Sequence, residues 1–184
     1  NHTDESYFGE TYWLANPIIN HRYQIKAAGG RSYDSWVNFT VEHFLGVRAP
    51  VGKILSIGSG DGALERHLAS INAAKRIEGV DLAPKRVEIA QKAAAESNMQ
   101  DTISYTTKNV ESSALPKAAY DAIYFNSSLH HMADVDGILS SCSAAMKKDA
   151  YIFINEYIGP NRFNFSAREK EVMTSVFHTI PEKY

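Results

Sequence analysis

From residue 51 onward, short apolar runs alternate with stretches whose apolar positions recur every three or four residues. Uninterrupted apolar runs suit strands buried on both faces, and the wider spacing suits helices packed on one side. Together they predict a parallel sheet with crossover helices. Five strands are expected, over 53–58, 76–82, 103–109, 120–126 and 151–157. Leu64, Leu68 and Ile71 mark a helix over 63–71, and the alanine-rich stretch 84–97 opens on Pro84, where a helix has no use for the missing N–H. Val135, Ile138, Leu139, Cys142, Ala145 and Met146 follow helical spacing behind Asp134, a cap residue. The stretch 111–119 reads as loop or a short helix. Ser166-Ala167-Arg168-Glu169 has the spacing of a capping box. The helix it opens carries Val172, Met173, Val176, Phe177 and Ile180 on one side and ends at Pro181.

Residues 1–50 have a different texture, rich in aromatic and polar side chains, and read as a helical extension or lid on a domain over 51–184. Asn16-Pro17 supplies a cap and a first helical residue, and Gly29-Gly30 stops that helix. Asp34 would cap a second helix with Trp36, Phe39, Phe44 and Leu45 as its apolar face.

The fold expected is a doubly wound, Rossmann-like parallel sheet with helices on both faces. Ligands in such sheets bind beyond the carboxyl ends of the strands. That places the chemistry just after Ile57, Val80, Lys108, Phe125 and Asn155. Gly58-Ser59-Gly60-Asp61-Gly62 stands there, between the first strand and its helix. Glycines let the backbone turn sharply and approach a ligand with no Cβ in the way. The loop alone fits more than one cofactor, because Gly58, Gly60 and Ala63 also satisfy the dinucleotide fingerprint. Asp81 ends the second strand. It can accept from both ribose hydroxyls of either kind of cofactor, or serve as a cap before Pro84.

Composition narrows the classes. Of 184 residues, 44% are hydrophobic and 22% charged, with 19 basic and 21 acidic residues giving a formal charge of −2. Such a balance exerts no chain-wide pull on nucleic acid or anionic lipid, and no basic stripe is interleaved with aromatics. Cys142 is the single cysteine, which excludes a disulfide framework and a thiolate metal cluster within the chain, and a reducing cytoplasm is the natural setting. No apolar run approaches the ~20 residues of a membrane span. The polar start, Asn1-His2-Thr3-Asp4-Glu5, is unlike a signal peptide and lacks an initiator methionine, so the chain reads as a fragment or as the ordered part of a longer one.

In order along the chain, three segments resemble class I S-adenosylmethionine-dependent methyltransferases of the small-molecule type. They are Ile54-Leu55-Ser56-Ile57-Gly58-Ser59-Gly60-Asp61-Gly62, then Gly79-Val80-Asp81-Leu82-Ala83, then the region from Leu115-Pro116 through Tyr120-Asp121-Ala122-Ile123 to Ser127-Ser128-Leu129-His130-His131. The resemblance extends to about Tyr157. It implies S-adenosyl-L-methionine as cofactor. Gly58, Ser59, Gly60 and Gly62 would form the loop around its methionine part. Asp81 would hold the ribose, Leu82 would flank the adenine, Asn109 and Val110 would read the adenine edge, and Asn126 would face the sulfonium. Arg22 would pair with the cofactor carboxylate. Ser56 stands where the family often has a carboxylate, and Asn109 where it often has Asp, so both positions are expected to weaken cofactor binding. The family's usual seven-stranded sheet ends in two further strands that this sequence lacks, and the chain therefore reads as incomplete at its carboxyl end.

Methyl transfer is an in-line displacement that needs a base only when the acceptor must lose a proton. His131 and His130 follow the fourth strand and are the candidates, the alternative being two residues of an ordinary turn. Adjacent histidines without a third ligand at fitting spacing make no metal site. Glu156, Tyr157 and Tyr12 would line the acceptor pocket, with Tyr7 and Trp13 as lid packing. The stretch Asn126-Ser127-Ser128-Leu129 lacks the proline-rich signature of nucleobase amine methylation. The expected acceptor is an oxygen or nitrogen of a small molecule. Competing readings are an NAD-dependent oxidoreductase and a non-catalytic cofactor-binding module. Oligomeric state is not legible.

Overall fold

The structure, a computed structural model, describes residues 17–31, 33, 35–156, 158 and 164–178. It divides into two compact units, Gln24–Glu156 and a smaller one made of Asn1–Tyr23 with Tyr157–Tyr184.

The larger unit is built on five parallel strands: β1 Val51–Ile57, β2 Ala74–Asp81, β3 Ile103–Thr107, β4 Tyr120–Asn126 and β5 Met146–Asn155. Their spatial order is β3-β2-β1-β4-β5, so the chain reverses its direction of travel across the sheet between β1 and β4. In register, Ile54 of β1 lies between Ile77 and Ala122. Both faces of the centre are covered, which is why β1 and β4 are nearly continuous apolar runs. On one face, Leu68 of α3 (Ala63–Ser70) and Val87, Ala90 and Ala94 of α4 (Pro84–Glu96) pack with Ile54, Ile77 and Tyr124. On the other, Ile138, Cys142 and Ala145 of α5 (Val135–Ala145) pack with Leu55, Ile57, Ile123 and Phe125. Each fully buried Ile or Leu contributes on the order of 2 kcal/mol through removal of apolar area from water. The stretch 111–119 is loop.

Several boundaries differ from the pattern-based expectation. The first sheet-packing helix, α2 (Trp36–Thr40), is capped by Ser35, whose Oγ accepts from Asn38 N at 3.1 Å; the expected cap Asp34 lies outside the described residues. The buried face runs along Val37, Val41 and Leu45, through a π-helical turn at Val41–Leu45, whereas Phe44 is exposed. Of the expected face, Leu45 is buried and Trp36 packs against the same cluster, and Val41 and Val37, one and two turns before Leu45, complete the row that fits against the sheet. β5 begins at Met146, earlier than expected, because α5 runs into it without a loop, and its register against β4 shifts between Tyr120 and Ala122. Polar Lys147, Lys148 and Asp149 hid that beginning. Asp121 Oδ2 fastens it, accepting from Lys53 N and from Lys147 Nζ, both at 2.8 Å.

In α1 (Pro17–Ala27) the C-terminal end closes as expected, with Gly30 N donating to Ile25 O at 2.9 Å. In the smaller unit, α6 (Ala167–Phe177) opens with the full capping box: Glu169 N donates to Ser166 Oγ and Ser166 N to Glu169 Oε2. Its Val172, Met173 and Val176 are exposed, and Ile180 and Pro181 lie outside the described residues.

Candidate active site

Four strand ends bring their loops to one cavity of about 390 Å³, mostly apolar in lining. β1 contributes Ile57 and Gly58, and β2 contributes Val80, Asp81 and Leu82. The loop after β3 adds Lys108, Asn109, Val110 and Glu111, and the turn after β4 adds Ser128, His131 and Met132.

Gly58 has φ +74°, and a Cβ there would collide with the Ser128 side chain. Ser128 is locked in that place because its Oγ donates to Ile57 O. The crossing of the β1 and β4 ends therefore requires glycine at 58. Gly62, at φ +81°, opens α3, and a Cβ on it would strike the Tyr105 hydroxyl, which donates to Gly62 O at 3.2 Å. Gly60 N donates to Asp81 Oδ2 at 2.9 Å, and Ala83 N donates to Asp81 Oδ1 at 2.9 Å. Asp81 thus fastens the glycine loop to the start of α4. Each of its oxygens keeps a lone pair for a ligand hydroxyl. Leu82 beside it is 68% exposed, an apolar surface at the rim of the cavity.

Of the other residues singled out in the sequence, Val110 is buried in the lining and Asn109 is exposed, its Oδ1 accepting from Glu111 N. Ser59 does not line the cavity. Its side chain is buried beside Gly79, and its Oγ has no partner. Asn126 is exposed, and its Oδ1 accepts from Asn155 Nδ2 at 2.8 Å. Arg22 is exposed on α1, in the smaller unit. Tyr7, Tyr12, Trp13 and Tyr157 lie outside the described residues.

The two histidines have different settings. His131 lines the cavity. Both are exposed, and His130 has its Nδ1 2.7 Å from Glu156 Oε2 and its ring centroid 4.0 Å from that of His131. The other oxygen of Glu156 accepts from Ser128 N and Leu129 N. Glu156 follows β5 and so acts as an anchor for the turn that carries both histidines. No sequence pattern marked that role, since its partners sit on a different loop. Glu111 does the same at the opposite side, where Oε1 accepts from Ala133 N and Asp134 N at 2.8 and 2.9 Å.

Cys142 is buried in the α5 face, and burial pushes its thiol up to about 11, far from a reactive thiolate. Among the described residues no cluster of three or more His, Cys, Asp or Glu is arranged to hold a metal, and no helix is long and apolar enough to cross a membrane.

A family model described as a methyltransferase domain matches residues 55–154. Among curated proteins, the ubiquinone biosynthesis O-methyltransferase of Xanthomonas axonopodis pv. citri is 30% identical over 108 residues, which is 58% of this chain and 44% of that one. The protein of the same name from Methylocella silvestris is 31% identical over 101 residues, 55% of this chain and 38% of its own. The chain thus spans less than half the length of these relatives. Among solved structures, a Methanococcus maripaludis protein described as a candidate S-adenosyl-L-methionine-dependent methyltransferase superposes with a TM-score of 0.61 at 23% identity, over 78% of this chain and 74% of its own. The YcgJ protein of Bacillus subtilis gives 0.60 at 20% identity, over 68% and 52%. The [4+2]-cyclase SpnF gives 0.55 at 23%, over 61% and 40%. These superpositions establish a shared fold.

Proposed function

The chain belongs to the methyltransferase-domain family, and we propose that it holds S-adenosylmethionine in this cavity and directs the methyl group to an oxygen of a small molecule. The observation that carries the reading is the joining of Gly58, where no Cβ fits, to Asp81, whose carboxylate fastens the loop and still has lone pairs toward the cavity. Asp81 would accept from the two ribose hydroxyls, Leu82 would cover one face of the adenine, and Asn109 and Val110 would meet its edge. The oxygen acceptor is favoured over nitrogen by the names of the curated relatives.

When bound, the cofactor supplies a methyl on a positively charged sulfur whose departure leaves a neutral thioether. Alignment then lowers much of the barrier, and the protein's remaining task is to remove a proton from a hydroxyl acceptor. We assign that task to His131, because it lines the cavity. His130, whose Nδ1 faces Glu156, would keep the turn in place and the two rings in contact.

The test is calorimetric titration of the chain with S-adenosylmethionine, S-adenosylhomocysteine and NAD. Micromolar binding of the two sulfur compounds, weakened about tenfold or more in Asp81→Ala, is the expected result, since a hydrogen bond to a charged group is worth roughly 1.5–3 kcal/mol. Binding of NAD alone would overturn the reading.

A further inference from the structure

Among the described residues, three side-chain oxygens are buried with no hydrogen-bond partner: Ser59 Oγ and both carboxyl oxygens of Glu65. They belong to one place. Ser59 is part of the glycine loop, and Glu65 lies in the first turn of α3, which rises directly from that loop. Glu65 is wholly buried. The groups around it compensate in part. The Ser56 hydroxyl faces it from β1, and the Tyr105 hydroxyl on β3 is taken by Gly62 O. Asp61 and Arg66, the charges acting on it from the loop and from α3, oppose one another. A carboxylate removed from water is strongly disfavoured, and burial outweighs the Ser56 hydroxyl and the Glu65 backbone N–H beside it, pushing the Glu65 carboxyl up to about 7. Nothing in the cavity chemistry described above uses this group.

We propose that Glu65 is a proton-linked anchor of the glycine loop: it keeps its proton in the free protein and releases it when a cation occupies the loop. The bound cation and the buried carboxylate then stabilise each other. This rests on the reading that the loop holds S-adenosylmethionine, whose sulfonium is the cation. The sign follows from linkage. A nearby positive charge lowers the Glu65 pKa in the complex below its value in the free protein. Affinity therefore rises with pH between the two values and levels off above the higher one. S-adenosylhomocysteine lacks the sulfonium charge and gains less from the ionised carboxylate.

Titration calorimetry at pH 7 in two buffers of different ionisation heat counts the protons released per ligand bound. If the complex lowers the Glu65 pKa by one unit, wild-type chain should release about 0.4 proton more than Glu65→Gln on binding S-adenosylmethionine. Glutamine keeps the shape but has no proton to give, so a purely structural role for Glu65 would leave the two counts equal. Equal counts with both proteins binding would overturn the proposal while leaving the cofactor reading intact. A second measurement needs no variant. The ratio of S-adenosylmethionine to S-adenosylhomocysteine affinity in the wild-type chain should rise about fivefold from pH 6 to pH 8 for the same one-unit drop. A flat ratio overturns the proposal even if Glu65→Gln does not fold. Failure of the wild-type chain to bind S-adenosylmethionine at any pH removes the cofactor reading and the proposal together.

Discussion

His130 and His131 are neighbours in sequence with unequal surroundings, and the difference is open to a direct comparison. His131 faces the cavity, whereas His130 is turned to the Glu156 carboxylate. With S-adenosylmethionine and a panel of phenols as acceptors, His131→Ala should lower kcat by about 10²–10⁴ at pH 7, the usual contribution of a general base. His130→Ala should cost less and leave cofactor affinity within about twofold. The reverse order would move the base to His130. Which histidine faces the cavity was not readable from the sequence, because a turn of this kind sets side-chain direction through partners far along the chain. Gly58 and Asp81 were readable, since a glycine before a helix and an acid at a strand end each carry a local backbone reason for being there. Glu65 was not. A carboxyl group in the first turn of a helix ordinarily stays in water, where it favours the helix dipole, and only the packing of α3 against the sheet takes it out of solvent.

At the scale of elements, the helix α5 shows how one hydrogen bond can hold a boundary. Asp134 Oδ1 accepts from Gly137 N at 2.9 Å, and eleven residues later the helix passes into β5 with no intervening loop. Asp134→Ala should cost about 1 kcal/mol, read as a lower urea midpoint with an unchanged slope. The helix and its cap were legible because apolar spacing and cap chemistry agree over the same residues. The start of β5 was not, because Met146 continues the helical apolar row and the charged residues after it resemble a loop. Over Trp36–Leu45 the expected face held at Trp36 and Leu45 and failed at Phe44. Phe44 stays at the surface against Tyr151 and Phe153, while Val37, Val41 and Leu45 do the packing. Side-chain size indicates how much area a residue can bury, and helical phase decides whether it does so.

For the molecule as a whole, the strand order predicts a gradient of protection. β1 and β4 are central and covered on both faces, while β3 and β5 are the outer strands among the described residues. Amide hydrogen exchange should be slowest in β1 and β4, intermediate in β2, and fastest in the outer half of the ladder of β5. Equal protection across all five strands would contradict the order. The expected doubly wound topology emerged from the sequence because each strand and helix was marked by its own period. The division into units did not, since Gln24–Glu156 reaches back past Pro50 through contacts that local pattern does not encode. The same strand order has a consequence for synthesis. β1 is the first strand to leave the ribosome but sits in the middle, and β4, its partner on one side, follows roughly seventy residues later. At about 5–20 residues per second, one edge of Val51–Ile57 is bare for about 3–14 s in every newly made chain. That interval, with an apolar strand lacking its neighbour, is when the nascent protein most needs a chaperone.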